Sequence, residues 1–243
     1  AACMPGPTDE FIQVRTHVSR PFLTAEWRNL ILVSWAIPQD RLASLVPQGT
    51  ELDFHEENTF VSLVAFEFID TRVRGVALPG HRDFIEVNLR FYVRRDDRRG
   101  VVFIKEIVPK PLIAWVARTI YGEPYETWSC SGGGEEYRWS RGDQTNRVCV
   151  KGLGERQLPA PGSHAEFITE HYWGYTSRSA ERTDEYRVEH PPWQHRAVAM
   201  LELEVDFAAV YGSDWAFLGG QEPASVLFAV GSEVAVFPGG RLG

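Results

Sequence analysis

Lysine is scarce in this chain: Lys105, Lys110 and Lys151 are the only three in 243 residues. Chemistry through a primary amine therefore has few candidates, because such an amine must first be freed of its proton by burial or a neighbouring charge. Cysteine is equally rare, and Cys3, Cys130 and Cys149 match no zinc-type spacing. The odd count suits a reducing cytosol, so a cytoplasmic location is expected; a Cys130–Cys149 pair is the alternative in an exported protein. No apolar run approaches the roughly 18–20 residues that span a bilayer. Residues 1–10 lack a signal-peptide pattern, and Met4 reads as the natural start, with Ala1–Cys3 added ahead of it. Basic residues are outnumbered, 25 against 33 acidic, for a net charge of −8. That balance argues against a nucleic-acid or anionic-membrane partner, whose phosphates need a concentrated positive face. The one basic cluster, Arg90 to Arg99, is diluted by Asp96 and Asp97 and reads as a solvated turn. Dinucleotide and P-loop glycine motifs, H-E-x-x-H and G-x-S-x-G are all missing.

What is present is ordinary globular composition, 44% hydrophobic and 24% charged, arranged mostly as short β-branched runs between turn residues. Strands are expected over 30–37, 59–69, 84–93, 101–108, 135–139, 147–151, 186–189, 197–206 and 225–237. Helical spacing marks Asp40–Val46 and Pro111–Tyr121, the latter with Pro at its first position and Gly122 as its stop. Phe207–Tyr211 adds a short helical turn, and Ser131–Gly134 reads as a hairpin tip. Gly152–Ser163 is the most linker-like stretch, yet it is short and reads as a loop inside one domain. The expected organisation is a tail over residues 1–15 and one domain over 16–243, mainly β with a few short helices.

Parity in the strand 84–93 is the most informative local feature. Glu86, Asn88 and Arg90 share one face, and Ile85, Val87, Leu89 and Phe91 the other. Either this is an outer strand with a wet face, or its polar side lines a ligand cavity in which Glu86 is an acid/base and Arg90 an anion clamp. Glu106 joins the candidate set from the neighbouring strand, with Lys105 on the opposite face; Lys105 and Lys110 read as solvated lysines or, alternatively, as activated amines. In Phe167–Tyr175, read as a strand, His171, Trp173 and Tyr175 share a face, offering an aromatic wall with a titratable imidazole. The alternative is a core strand with a hydrogen-bonded His. His190 and His195 bound a proline-rigid loop and lack an acidic or cysteine partner at a metal-ligand spacing, so no metal or other cofactor is expected.

Several longer motifs are similar to one family. Phe22–Leu30, Leu45–Leu52, Phe84–Val93, Gly100–Ile104, Glu170–Tyr175, Tyr186–Pro191 and Gly231–Gly239 resemble the YqjF-like, DUF2071 family of uncharacterised bacterial proteins. The resemblance implies an acetoacetate-decarboxylase-like fold: a single cone-shaped antiparallel β-barrel with an internal cavity, in a superfamily that often assembles into homo-oligomers. Acetoacetate decarboxylases place a Schiff-base lysine after a Gly-x-Pro turn, and a second lysine follows it. Here the similar stretch runs from Tyr121 through Gly122, Glu123 and Pro124 to Tyr125 and Glu126, so a tyrosine and a glutamate stand where those lysines would be. Glu86 is placed like that family's cavity glutamate, whereas its substrate-binding arginine would fall near Ala36. Without a primary amine at that position no iminium can form there.

The expectation is a small-molecule-binding barrel for a carbonyl- or carboxylate-bearing ligand. Glu86, Tyr125 and His171 are its catalytic candidates, and Asn88, Arg90, Glu106, Tyr121, Trp173 and Tyr175 its ligand-binding candidates. Two alternatives stay open: a non-covalent lyase or hydratase using Glu86 and Tyr125 as base and acid, and a structural oligomer whose cavity is filled by its own side chains. An open space of at least about 300 Å³ beside Glu86 and Arg90 is the requirement set for the ligand reading.

Overall fold

The computed structural model describes residues 20–242. The expected tail over residues 1–15 and the start at Met4 lie outside these. The described residues form one fifteen-stranded sheet. Its first half is β1 (Leu23–Ile37), β2 (Glu51–Leu52), β3 (Thr59–Val73), β4 (Val76–Ala77), β5 (Phe84–Arg95), β6 (Arg98–Val108) and β7 (Tyr125–Thr127). Its second half is β8 (Ser129–Gly133), β9 (Glu136–Arg141), β10 (Gln144–Gln157), β11 (Trp173–Ser179), β12 (Arg182–Glu189), β13 (His195–Glu204), β14 (Ser225–Val236) and β15 (Gly240–Arg241). Three short α-helices punctuate them: α1 (Pro111–Ile120), α2 (His164–Thr169) and α3 (Phe207–Tyr211). No described helix is long and apolar enough to cross a membrane.

Most expected elements form where the β-branched runs lie, and three differ. The helix expected over 40–46 is two separate 3₁₀ turns, Gln39–Arg41 and Ala43–Leu45. β10 runs on to Gln157, into the stretch read as a loop, because Gly152 and Leu153 find partners in Val198 and Ala197 of β13. Residues 167–175 are not one strand. Ser163 caps α2 by accepting from Glu166 N at 3.2 Å, and the Glu166 carboxylate accepts from Gly162 N at 2.6 Å, so the chain stays helical through Thr169.

Pairing runs antiparallel through β6–β5–β3–β1–β14. β14 also pairs with β12, through Val236 and Ala235, and the β11–β12 hairpin returns to β6. The successive pairings therefore close a circuit of seven strands. The return is parallel, Trp173 opposite Gly100 and Gly174 opposite Val101, as is the pairing of β7 with β6.

Both faces of the central strands are buried, which rules out a wet outer face for β5. Val87, Leu89 and Phe91 pack into an outer cluster with Trp35, Trp139 and Phe207, supplied by β1, β9 and α3. Leu30, Val64, Phe66 and Phe84 look the other way, into an inner cluster that α1 closes with Ala114. The β8–β9 hairpin is tied across by Glu67 of β3, which accepts from Asn29 Nδ2 at 2.6 Å and from Gly134 N at 3.2 Å.

A bulge in β6 decides which side chains look inward. Leu89 lies opposite Lys105 but Arg90 lies opposite Phe103, so Ile104 is the extra residue. Simple alternation from Val101 and Phe103 would aim Lys105 inward. The extra residue instead turns Glu106 inward and Lys105 outward, as bulges re-aim side chains generally.

Candidate functional site

Inside the circuit lies a cavity of about 120 Å³, walled largely by Trp27, Phe66, Phe68, Phe84, Phe103 and Trp193. That is below the roughly 300 Å³ set as the requirement for the ligand reading, so the requirement as stated is not met, and only an occupant much smaller than the ligands of such pockets fits. A cavity of about 150 Å³ holds benzene, so this one suits a molecule of about six heavy atoms. Ile113, Val116 and Ala117 border it from α1, where the i, i+3, i+4 spacing puts all three on one face.

Eight of the nine candidate residues border this cavity: Glu86, Asn88, Arg90, Glu106, Tyr121, Tyr125, His171 and Trp173. β5 presents Glu86, Asn88 and Arg90 by alternation, and the bulge adds Glu106 beside Asn88 and Tyr125, its partners across the sheet. Tyr125 Oη donates to Glu86 Oε2 at 2.9 Å, and Asn88 Nδ2 donates to Glu86 Oε1 at 3.0 Å. Trp173 borders the cavity while the Arg98 guanidinium sits 4.6 Å from its ring.

Tyr175 is the exception: it packs into the outer cluster, where its hydroxyl donates to Arg98 O at 3.4 Å. The break at α2 and the loop after it detaches His171 from the face that Tyr175 occupies, so the two never share a wall.

Three carboxyls stand together here. Burial, first of all, pushes Glu86 up to about 7 and Glu123 up to about 8. Glu106 is raised well above the usual range, by burial and then by Glu123 and Glu86 beside it. Glu123 accepts from Thr176 Oγ1 at 2.7 Å. Its place between Gly122 and Pro124, inside the stretch compared with the decarboxylase lysines, is the signal by which sequence could have found it. Burial and then the Glu106 and Glu86 carboxylates raise the Tyr125 hydroxyl well above 10, so it stays protonated and acts as a donor. His171 is moved the other way, down to about 4 by burial first, and is a neutral ring at pH 7 rather than a titrating one.

No lysine borders the cavity. Lys105 pairs with Glu126 at 2.8 Å on the outward side of β6, so the glutamate following Tyr125 also points away. Among the described residues Arg90 is the cation in the cavity wall, and its Nη2 donates to Ile168 O at 3.4 Å. Among the described residues no group of three or more His, Cys, Asp or Glu is arranged to hold a metal. Six buried polar atoms of cavity residues have no hydrogen-bond partner among the described residues: Trp27 Nε1, Asn88 Oδ1, Arg90 Nε, Glu106 Oε2, Tyr121 Oη and His171 Nδ1. Leaving each unmatched costs about 1–3 kcal/mol. The arrangement can hydrogen-bond and orient a small polar molecule, and can hold or move a proton at Glu86.

Residues 24–233 match the DUF2071 family model, described as an uncharacterized conserved protein. A curated relative is the uncharacterized protein YqjF of Bacillus subtilis strain 168, 31% identical over 100 residues. That match spans 41% of this chain and 41% of the relative. Among solved structures, acetoacetate decarboxylase from Legionella pneumophila superposes with a TM-score of 0.65 at 15% identity, over 99% of this chain and 92% of that one. An acetoacetate decarboxylase-like enzyme from Sphingomonas wittichii RW1 gives 0.62 at 14% identity, over 90% and 92%. The enduracididine biosynthesis enzyme MppR, complexed with pyruvate, gives 0.61 at 13% identity, over 98% and 99%. At these identities the likeness is one of fold.

Proposed function

The chain belongs to the DUF2071 family, on a mainly β, acetoacetate-decarboxylase-like fold, and from that premise we propose that it binds a small carboxylate- or carbonyl-bearing molecule without covalent attachment. The observation that carries this is that six residues lining one aromatic-walled cavity each hold a buried polar atom with no hydrogen-bond partner among the described residues. In this reading the seven-strand circuit is a barrel and the cavity is its interior. Arg90 meets the acid group of the ligand, since a guanidinium offers a charge-assisted, fork-shaped match to a carboxylate. The protonated carboxyls donate to its carbonyl, while Tyr125 donates to Glu86 and holds it in place. Pyruvate, the molecule bound in the MppR structure, has six heavy atoms and suits a space of about 120 Å³. Tyr125 stands where the resemblance puts a Schiff-base lysine, and a phenol held protonated is no substitute for an amine. Both described cysteines, Cys130 and Cys149, are free, which suits a cytoplasmic setting.

A second reading adds a reaction: a lyase or hydratase with Glu86 as base and Tyr125 as donor. It is favoured by the Glu86 carboxyl near 7, a value matched to proton transfer close to neutrality. The open space of about 120 Å³ weighs against a cavity filled by the protein's own side chains.

Borohydride reduction in the presence of pyruvate, followed by intact mass measurement, tests the non-covalent claim, with equilibrium dialysis alongside. Binding with an unchanged mass is expected. A reduced adduct at Lys105 or Lys110 overturns the non-covalent claim, and absence of binding overturns the ligand reading itself.

A further inference from the structure

Asp53, just beyond β2, lies outside the set of residues that the sequence singles out. Its backbone N donates to Tyr92 O at 3.0 Å, which anchors it beside β5. Arg99 Nε donates to its Oδ2 at 2.7 Å, and His171 Nε2 lies 3.3 Å from the same oxygen. Burial opposes the charge on Asp53, but hydrogen bonds from His171 and Arg99 outweigh it and hold the carboxyl below its ordinary 3.8. An ionised carboxylate can only accept, so the proton between the two groups sits on His171 Nε2. A neutral imidazole carries one N–H, which leaves the lone pair on Nδ1, and that atom is buried with no partner among the described residues. Phe167 and Tyr92 hold the ring at 5.4 and 4.6 Å between centroids.

We infer that Asp53, held by Arg99, is a positioning residue that fixes His171 as a hydrogen-bond acceptor in the cavity wall, and that this acceptor selects a ligand carrying a hydroxyl beside its acid group. The inference rests on the proposed binding of an acid at Arg90 and adds the second feature of the ligand. Arg90 and His171 flank one ring: the guanidinium carbon is 5.7 Å from the Tyr92 centroid and the imidazole 4.6 Å. A neutral hydroxyl suits Nδ1 better than an ammonium group, because the Arg90 and Arg99 guanidiniums both act on this imidazole and disfavour a further cation there. A 2-hydroxy acid carries both groups; a 2-keto acid of the same size carries only the first.

Long-range ¹⁵N–¹H correlation of the His171 ring in the full chain at neutral pH, with lactate and pyruvate as probes, tests this. The expected free-protein spectrum is one neutral tautomer protonated at Nε2, and lactate moves the Nδ1 resonance while pyruvate does not. Asp53→Asn, whose amide donates as well as accepts, is expected to introduce the Nδ1–H tautomer; an unchanged tautomer removes the positioning role of Asp53. Lactate is expected to bind roughly threefold to tenfold more tightly than pyruvate, the size of one added hydrogen bond. A free ring protonated at Nδ1, or an Nδ1 resonance that lactate leaves unmoved, overturns the inference. The Arg90 Nε resonance separates the two levels. If it responds to both acids while Nδ1 stays still, only the hydroxyl selection fails; if neither resonance moves, the binding reading fails with it.

Discussion

Glu123 and Glu86 keep their protons in the folded state far above the pH at which an unfolded chain releases them, and this has a consequence for stability. Between about pH 4.5 and the folded-state values near 7 and 8, the folded chain holds protons that the unfolded chain has lost, so stability falls as pH rises. Buried histidines act in the opposite direction. His171 and His190 are both lowered to about 4 by burial, so the unfolded chain binds the extra protons below about 6.5 and stability rises with pH up to that point. The two trends offset each other below about 6.5. Above it only the carboxyls act, and the melting temperature is expected to fall between about pH 6.5 and 8. Glu123→Gln, which keeps an acceptor for Thr176 Oγ1 without an ionisable group, flattens that fall. The difference at pH 8 amounts to roughly a few kcal/mol, and thermal melts of the two proteins across this range measure it. Strand parity put Glu86 on one face with Asn88 and Arg90 but left that face either wet or cavity-lining; burial of both faces of β5 decides it. Glu123 had no such reading, because a turn residue has no face until its flanking elements are placed.

At the scale of elements, the β6 bulge and the α2 cap decide what the cavity contains. Alternation over 101–108 separates Glu106 from Lys105, but which of them looks inward depends on the extra residue at Ile104, and a strand pattern does not announce a bulge. The α2 start was written in the chain as a Ser-x-x-Glu box at Ser163 and Glu166, masked by the strand-like run of aromatics after it. Its misreading had one cost, the placement of Tyr175 on the cavity wall. Ser163→Ala removes the cap on Glu166 N and is expected to destabilise the chain by about 1 kcal/mol, read from the denaturation midpoint. Because α2 leads directly into His171, the same variant is expected to raise amide exchange across 164–171 before any other part of the chain responds.

The whole molecule places one sheet between two apolar clusters, and its organisation follows from strands that bury both faces. Long β-branched runs made most of these strands legible. Local pattern could not supply the pairings that complete the circuit, since they join Val188 to Val236 and Trp173 to Gly100, positions far apart in the chain. The cavity volume was equally out of reach of sequence. Among the described residues Arg90 is the cation on the cavity wall, beside carboxyls, hydroxyls and rings, and acid recognition is therefore assigned to its side chain. Calorimetric titration of pyruvate into the unmodified chain and into Arg90→Met tests this most directly. Losing a hydrogen bond to a charged group costs about 1.5–3 kcal/mol, so affinity is expected to drop at least about tenfold in the variant while the fold is kept. Equal affinity in the two proteins, or no binding by the unmodified chain, would contradict it.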